Sequence, residues 1–175
     1  MFSTELAEQL IRMEKKITLN NTLIDEYVWE QRSPIDIRLE LSPTEASDYS
    51  FLWVINQSAK NTIKFTLHVQ EDESNTGLFR IDYNGSHHNP ESDNGQLPER
   101  FRPYIGHRFV NTTHAHYHIE GYKSLAWALP ISEVPEMTVQ TLDDDADKSK
   151  YVAAVYDFAK IINLSTRIIV NAQLL

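Results

Sequence analysis

"PIDIRLEL", residues 34–41, sets Ile35, Ile37, Leu39 and Leu41 on alternate positions against Asp36, Arg38 and Glu40. Successive side chains of a strand point to opposite faces, so this octet predicts one buried face and one wet face. Its neighbours are of the same kind. "YVWEQ", "SFLWVIN", "TIKFTLHVQ" and "GLFRIDYNG" are rich in β-branched and aromatic residues and are separated by Ser, Asn, Asp or Gly, which predicts short strands. Strands that follow one another without intervening helices imply an antiparallel meander.

Both ends of the chain carry a helical period instead. Phe2, Leu6, Leu10, Met13 and Ile17 form a stripe with Ser3 or Thr4 as N-cap, Glu5 in the first turn and Lys15 and Lys16 at the end. Tyr151, Val152, Val155, Phe158, Ala159 and Ile162 form a second stripe. The run Asp143-Asp144-Asp145-Ala146-Asp147 ahead of it suits a helix N-terminus and lacks the glycine and alternating spacing of a calcium loop. "HAHYHIE" and "KSLAWALPI" add two strands about a turn at Gly121, and "STRIIVNAQLL" adds a last one. The expected fold is therefore α+β: a single domain over 1–175, mainly antiparallel sheet as a meander or partly closed barrel, packed by an N-terminal and a C-terminal helix. Alternation stops after a turn at Asn84-Gly85, leaving a long loop at about 86–113. A loop of that length in a compact domain is usually functional or disordered.

Composition narrows the function classes. With 175 residues, 41% of them hydrophobic and 23% charged, the chain can bury a core without staples. It has no cysteine, which excludes disulfides, thiolate metal sites and a cysteine nucleophile, and suits the cytoplasm. No stretch approaches the ~20 apolar residues of a membrane span, so no membrane is expected. A net charge of -9 argues against wholesale wrapping of nucleic acid. A local exception is "PERFRPYIGHRF", where Arg100, Arg102, His107 and Arg108 stand among aromatics. These can contact a phosphate or RNA, or pair with the surplus carboxylates.

Six of the seven histidines lie between positions 87 and 118. In "HAHYHIEGY", residues 114–122, strand alternation puts His114, His116, His118 and Glu120 on one side and Ala115, Tyr117 and Ile119 on the other. An antiparallel return would bring His87 and Asn89 to the same sheet edge as His114, His116 and Glu120. Two histidines at that spacing can share a divalent metal, or act as base and acid without one.

The motifs "LIRMEKK", "FRIDYNGSHHNP", "HAHYHIEGYKSLAWALP" and "VYDFAKIINL" together resemble an uncharacterised family of small bacterial and phage proteins, a domain of unknown function. The resemblance marks His87, Asn89, Pro90, His114, His116, Glu120, Gly121, Tyr122 and Trp127 as recurrent positions. Position 118 is His here where that family has tyrosine, and the loop between the central motifs is longer. The spacing His114-x-His116-x-x-x-Glu120 is also similar to the first metal motif of cupins, but Trp127 stands where that motif has glycine and no second histidine motif follows.

Three functional readings result. The first is a toxin-type hydrolase of RNA or another phosphodiester. In it His114 and His116 act as acid and base or as metal ligands and Glu120 orients a histidine. His87 and Asn89 bind the scissile group, and Arg100, Arg102, Arg108 and Tyr122 hold substrate. Nucleic acid is a partner only if RNA is that substrate. The second is a non-catalytic binding factor of phage or defence biology whose acidic surface meets a protein partner. The third is a metal-dependent, cupin-like binder or enzyme. A divalent metal is the one cofactor the pattern suggests, and nothing in it sets a homo-oligomeric state.

Overall fold

The computed structural model describes residues 2–30, 33–144 and 147–171. Helix α1 (Thr4–Arg12) is capped by Ser3, whose hydroxyl accepts the Leu6 amide at 3.1 Å. The helical stripe predicts continuation to Ile17, but Met13 takes φ -57° and ψ 131° and ends the helix. Ile17 falls instead in strand β1 (Lys15–Leu19), which turns through Asn20 and Asn21, both at positive φ, into β2 (Thr22–Ile24). Alternation cannot mark a three-residue strand, so this hairpin has no clear signature in the sequence.

From β4 (Asp36–Pro43) onward the meander expectation holds. β4, β5 (Phe51–Gln57), β6 (Phe65–Glu71), β7 (Thr76–His88), β8 (Arg108–Tyr117) and β9 (Trp127–Pro130) pair in chain order, each antiparallel to the next. With β1 and β2 added at the β4 edge, the sheet has eight strands in the order β2-β1-β4-β5-β6-β7-β8-β9. It is open, with β2 and β9 as edges, and does not close into a barrel. β3 (Glu26–Trp29) stays outside it and pairs in parallel with β10 (Arg167–Val170). Gln31 of the expected "YVWEQ" strand, Asp145 and Ala146 of the acidic run, and residues 172–175 lie outside the described residues. No helix among the described residues is long and apolar enough to cross a membrane.

The register stacks like with like. Ile37, Ile55, Leu67, Ile81, Ala115 and Leu129 form one rung; Leu39, Trp53, Val69, Phe79, Tyr117 and Trp127 form the next. Helix α2 (Lys148–Ile161) covers this face, its Phe158 ring stacking on Trp53 at 5.8 Å and on Phe79 at 5.6 Å. Trp53 and Phe158 are fully buried, each such side chain contributing ~1.5–3 kcal/mol of transfer free energy. The opposite face carries polar rungs. Asp36, Asn56, Thr66, Asp82 and His114 make one; Arg38, Val54, His68, Arg80 and His116 make the other.

Two local departures shape that polar face. Asn84-Gly85 is not a turn: β7 runs through it to His88, with the Asn84 side chain donating to Ile63 O and Leu142 O at 2.8 Å. The expected loop is correspondingly shorter, holding a 3-10 helix at Glu99–Tyr104 before β8 begins at Arg108. At its other end β8 stops at Tyr117, so the alternation read through Glu120 breaks three residues early.

Candidate functional site

His114 and His116 occupy alternate positions of β8 and leave the sheet on the polar face. Register sets Asp82 opposite His114 and Arg80 opposite His116. One strand further, Thr66 faces Asp82 and His68 faces Arg80. Two adjacent rungs thus gather six polar groups from three strands.

A pair of bulges closes over them. Asn84 (φ 54°) and Asn111 (φ 48°) are left-handed, and the β7–β8 register shifts on either side of Gly85. Beyond the shift, the His87 ring sits 4.5 Å from that of His116, and Phe109 stacks on His114 at 4.7 Å. This cover leaves His114 and His116 at 0% exposure on a face that is otherwise wet. Gly85 lies at the tightest point. A Cβ there would stand 2.9 Å from Asp82 Cβ and 3.0 Å from His114 Cε1.

Backbone carbonyls orient both rings. His114 Nδ1 lies 2.9 Å from Thr112 O, and His116 Nδ1 lies 3.0 Å from Leu125 O. A carbonyl can only accept, so each Nδ1 donates and each neutral ring presents its lone pair at Nε2. Those nitrogens converge on Asp82 Oδ2, His116 at 3.1 Å and His114 at 4.0 Å. All three ligand atoms lie within 4.8 Å of one another. Arg80 Nη2 donates to Asp82 Oδ2 at 2.8 Å and to His116 Nε2 at 3.0 Å, while Thr66 Oγ1 donates to Asp82 Oδ1 at 2.8 Å. Buried atoms without a hydrogen-bond partner include His114 Nε2, His68 Nε2 and Arg80 Nε.

The surroundings set the charge states. Burial, helped by His116, pushes His114 down to about 4. Burial and the Arg80 charge bring His68 to about 4 as well, and burial lowers His87. Burial alone would raise the Asp82 carboxyl, but the His116 hydrogen bond, the Arg80 charge and Thr66 outweigh it and hold Asp82 at about 2. Near neutral pH the patch therefore combines a carboxylate and a guanidinium with neutral imidazoles at His68, His87 and His114.

Two imidazole lone pairs and one carboxylate form the donor set that divalent transition metals take, and an Nδ1 anchored on a carbonyl is the usual outer-shell support. Coordination at ~2.0–2.1 Å spaces donor atoms roughly 3.0–3.4 Å apart. The His116–Asp82 pair meets that spacing and the His114–Asp82 pair approaches it. The patch opens on a cleft of about 560 Å³ lined by Arg80, His87, His88, Glu91, Lys123 and Ala126.

The other residues singled out in the sequence are dispersed. Of them only His87 joins the imidazoles. Glu120 lies past the end of β8, its amide on Thr4 Oγ1 at 3.0 Å and its carbonyl facing Asn94 Nδ2 at 3.3 Å, and Asp82 supplies the carboxylate expected of it. His118 turns to Phe2 O at 3.0 Å. Asn89 is a buried brace, pairing with both backbone groups of Ala128 at 2.8 Å and with Tyr104 O at 2.9 Å. Arg100 lies over the Tyr117 ring, which belongs to the apolar rungs, and pairs with Glu8 at 3.7 Å. Arg102 is held by Glu99 and Asp93, Arg108 is exposed opposite His88, and the Tyr122 hydroxyl bonds Ser92 O and the Asn94 amide. Arg80, Asp82, Thr66 and His68 were not legible as site residues. Their one signal is the alternation of Arg80 and Asp82 with Phe79 and Ile81, which places two charges on the same strand face.

These features define an α+β protein with a mostly antiparallel sheet and a His-His-Asp cluster on its polar face. A model of a family of unknown function, DUF6978, matches residues 2–164, and the chain belongs to that family. Neither a curated protein nor a solved structure matches it.

Proposed function

We propose that the protein binds a divalent transition metal through Asp82, His114 and His116 and hydrolyses a phosphodiester or similar anionic ester beside it. The observation that carries this reading is the convergence of two imidazole Nε2 atoms on one carboxylate oxygen, with both rings fixed from behind by Thr112 O and Leu125 O. Full burial and the lowered pKa of His114 favour a ligand over a proton carrier, because a metal needs the neutral ring and a substrate cannot touch a covered one.

A divalent ion supplies the Lewis acid and the acidified water that ester hydrolysis needs. The chain supplies the rest. His87 is the half-buried imidazole at the cleft; its Nε2 donates to Ala126 O at 2.9 Å, so Nδ1 is the basic nitrogen. It takes the proton from water as the water oxygen bonds to phosphorus and the ester oxygen leaves with the electron pair of its broken bond.

Elemental mass spectrometry on untagged protein dialysed without chelator tests this, beside the His114→Ala/His116→Ala double variant with its fold checked by circular dichroism. Near-stoichiometric metal in the wild type, lost in a folded variant, is expected, together with metal-dependent cleavage of bis(p-nitrophenyl) phosphate or RNA. A wild type that neither retains nor takes up Zn2+ or Mn2+ would sink the reading and leave the cluster as an ion-paired brace of the sheet.

A further inference from the structure

We propose that Arg80 is a displaceable cation: it holds Asp82 and His116 in the metal-free protein and, once an ion takes those donors, binds the phosphate group of the substrate at the cleft. The inference rests on the metal reading above and names the substrate class that it serves.

Lone pairs are scarce where the three groups meet. A neutral imidazole has one, and the His116 Nδ1 proton is committed to Leu125 O at 3.0 Å, so the lone pair sits on Nε2. Nε2 accepts from Arg80 Nη2 at 3.0 Å in the neutral ring and donates to Asp82 Oδ2 at 3.1 Å when it carries a proton. The same guanidinium nitrogen is 2.8 Å from Asp82 Oδ2, and Oδ2 is 3.1 Å from Nε2. Guanidinium nitrogen, carboxylate oxygen and imidazole nitrogen thus form a nearly equilateral triangle. A metal bonded to Nε2 and Oδ2 needs a lone pair from each, and Arg80 Nη2 lies against both atoms, so guanidinium and ion cannot hold the pair together. Charge acts in the same direction, because a divalent ion and a guanidinium within a few ångströms repel strongly in a partly buried site.

Arg80 has somewhere to go. Its side chain is 33% exposed and lines the cleft, and its Nε has no hydrogen-bond partner to break. A guanidinium released beside a metal offers a planar fork of donors, the geometry that pairs bidentately with phosphate oxygens. The surroundings suit an anion. Lys123 lines the same cleft, Arg38 and His68 stand on the same rung as Arg80, and the one carboxylate of the lining, Glu91, is paired with His88 at 2.9 Å. A tetrahedral phosphate can place one oxygen on the metal and two on the guanidinium. Metal and phosphate then favour each other's binding, since the first frees the ligand of the second and the second keeps Arg80 away from His116.

The test is Mn2+ binding followed by the electron paramagnetic resonance of the free ion, in wild type and Arg80→Met, with and without inorganic phosphate. Without phosphate, Arg80→Met is expected to bind Mn2+ about ten- to a hundredfold tighter, the loss of charged hydrogen bonds that otherwise compete. Phosphate is expected to tighten binding about tenfold in the wild type and to leave Arg80→Met unchanged. The wild-type comparison needs no variant, and Arg80→Lys, which keeps a charge beside Asp82, is expected to fall between the two. Equal Mn2+ affinity in wild type and Arg80→Met, or equal tightening by phosphate in both, overturns the role of Arg80 while leaving the metal centre standing. No Mn2+ or Zn2+ binding in either protein overturns the centre itself, and this inference with it.

Discussion

Asn89 shows how a residue can be conspicuous in sequence and structural in the fold. It is 1% exposed, and its side-chain amide treats Ala128 as a neighbouring strand would, accepting from the Ala128 amide and donating to the Ala128 carbonyl. A second donation to Tyr104 O ties the 3-10 helix to the same point. Both protons of the amide are committed and the group is buried, so it does not face a substrate. Asn89→Ala would orphan a buried N–H and two carbonyls, so a loss of ~2–4 kcal/mol in urea unfolding is expected, with metal affinity of the folded fraction kept. Asn89→Asp should be at least as damaging, since a carboxylate would face two carbonyl oxygens. A fully stable Asn89→Ala would show that the amide braces nothing and reopen a binding role.

At the scale of the element, the hairpin of β7 and β8 makes the site, and it does so through what looked like its end. Asn-Gly between alternating hydrophobics is the strongest short-range hairpin signal, which is why Asn84-Gly85 reads as a turn. Here β8 supplies pairing partners beyond it, and the dipeptide becomes one half of a double bulge. The His-x-His alternation was legible, because a strand face is a local property of period two. The carboxylate was not, because Asp82 meets His114 only through cross-strand register, and Glu120 fails because alternation carries no mark of where a strand stops. The meander of β4 to β9 was legible for the same reason as the histidine face, and the parallel β3–β10 pair was not, its partners being far apart in the chain. Gly85 tests the element as a unit. Gly85→Ala would force Cβ against the His114 ring and the Asp82 stem, so metal affinity should fall at least about tenfold alongside a stability loss of ~1–3 kcal/mol. Unchanged affinity in a titration against a chromophoric chelator would mean that the bulge does not position the donors.

Across the whole molecule, the buried titratable groups act on stability in one direction over most of the pH scale. His68 and His114 protonate near 4 when folded and near 6.5 when unfolded, so the unfolded chain holds more protons between those values and stability falls as pH drops through them. Lys15 extends the trend upward. Its ammonium is fully buried over the Phe51 ring, donating to Ile11 O, Met13 O and Ile162 O at the ends of both helices, and burial lowers it to about 7. The unfolded lysine keeps its proton to about 10.5, so stability rises again between those values. Asp82 adds a contribution that is complete above its ordinary 3.8 and vanishes only as pH falls through about 2. Burial raises Tyr117 to about 12 and raises Tyr83 further, which reverses the slope once unfolded tyrosines ionise above ~10. The optimum is thus expected on the alkaline side, far from the isoelectric point of 5.2. A proton excluded from one folded imidazole is worth ~1.4 kcal/mol per pH unit, so over the span from 6.5 down to 4.5 the two rings together should remove on the order of 5 kcal/mol between pH 7 and pH 4.5. Urea midpoints measured from pH 4.5 to pH 9 on metal-free protein check this, and a flat profile, or one that rises toward acid, would contradict it. His68→Gln should shallow the acid limb while leaving Asp82, His114 and His116 able to hold a metal, which separates the burial of a neutral histidine from the loss of a ligand.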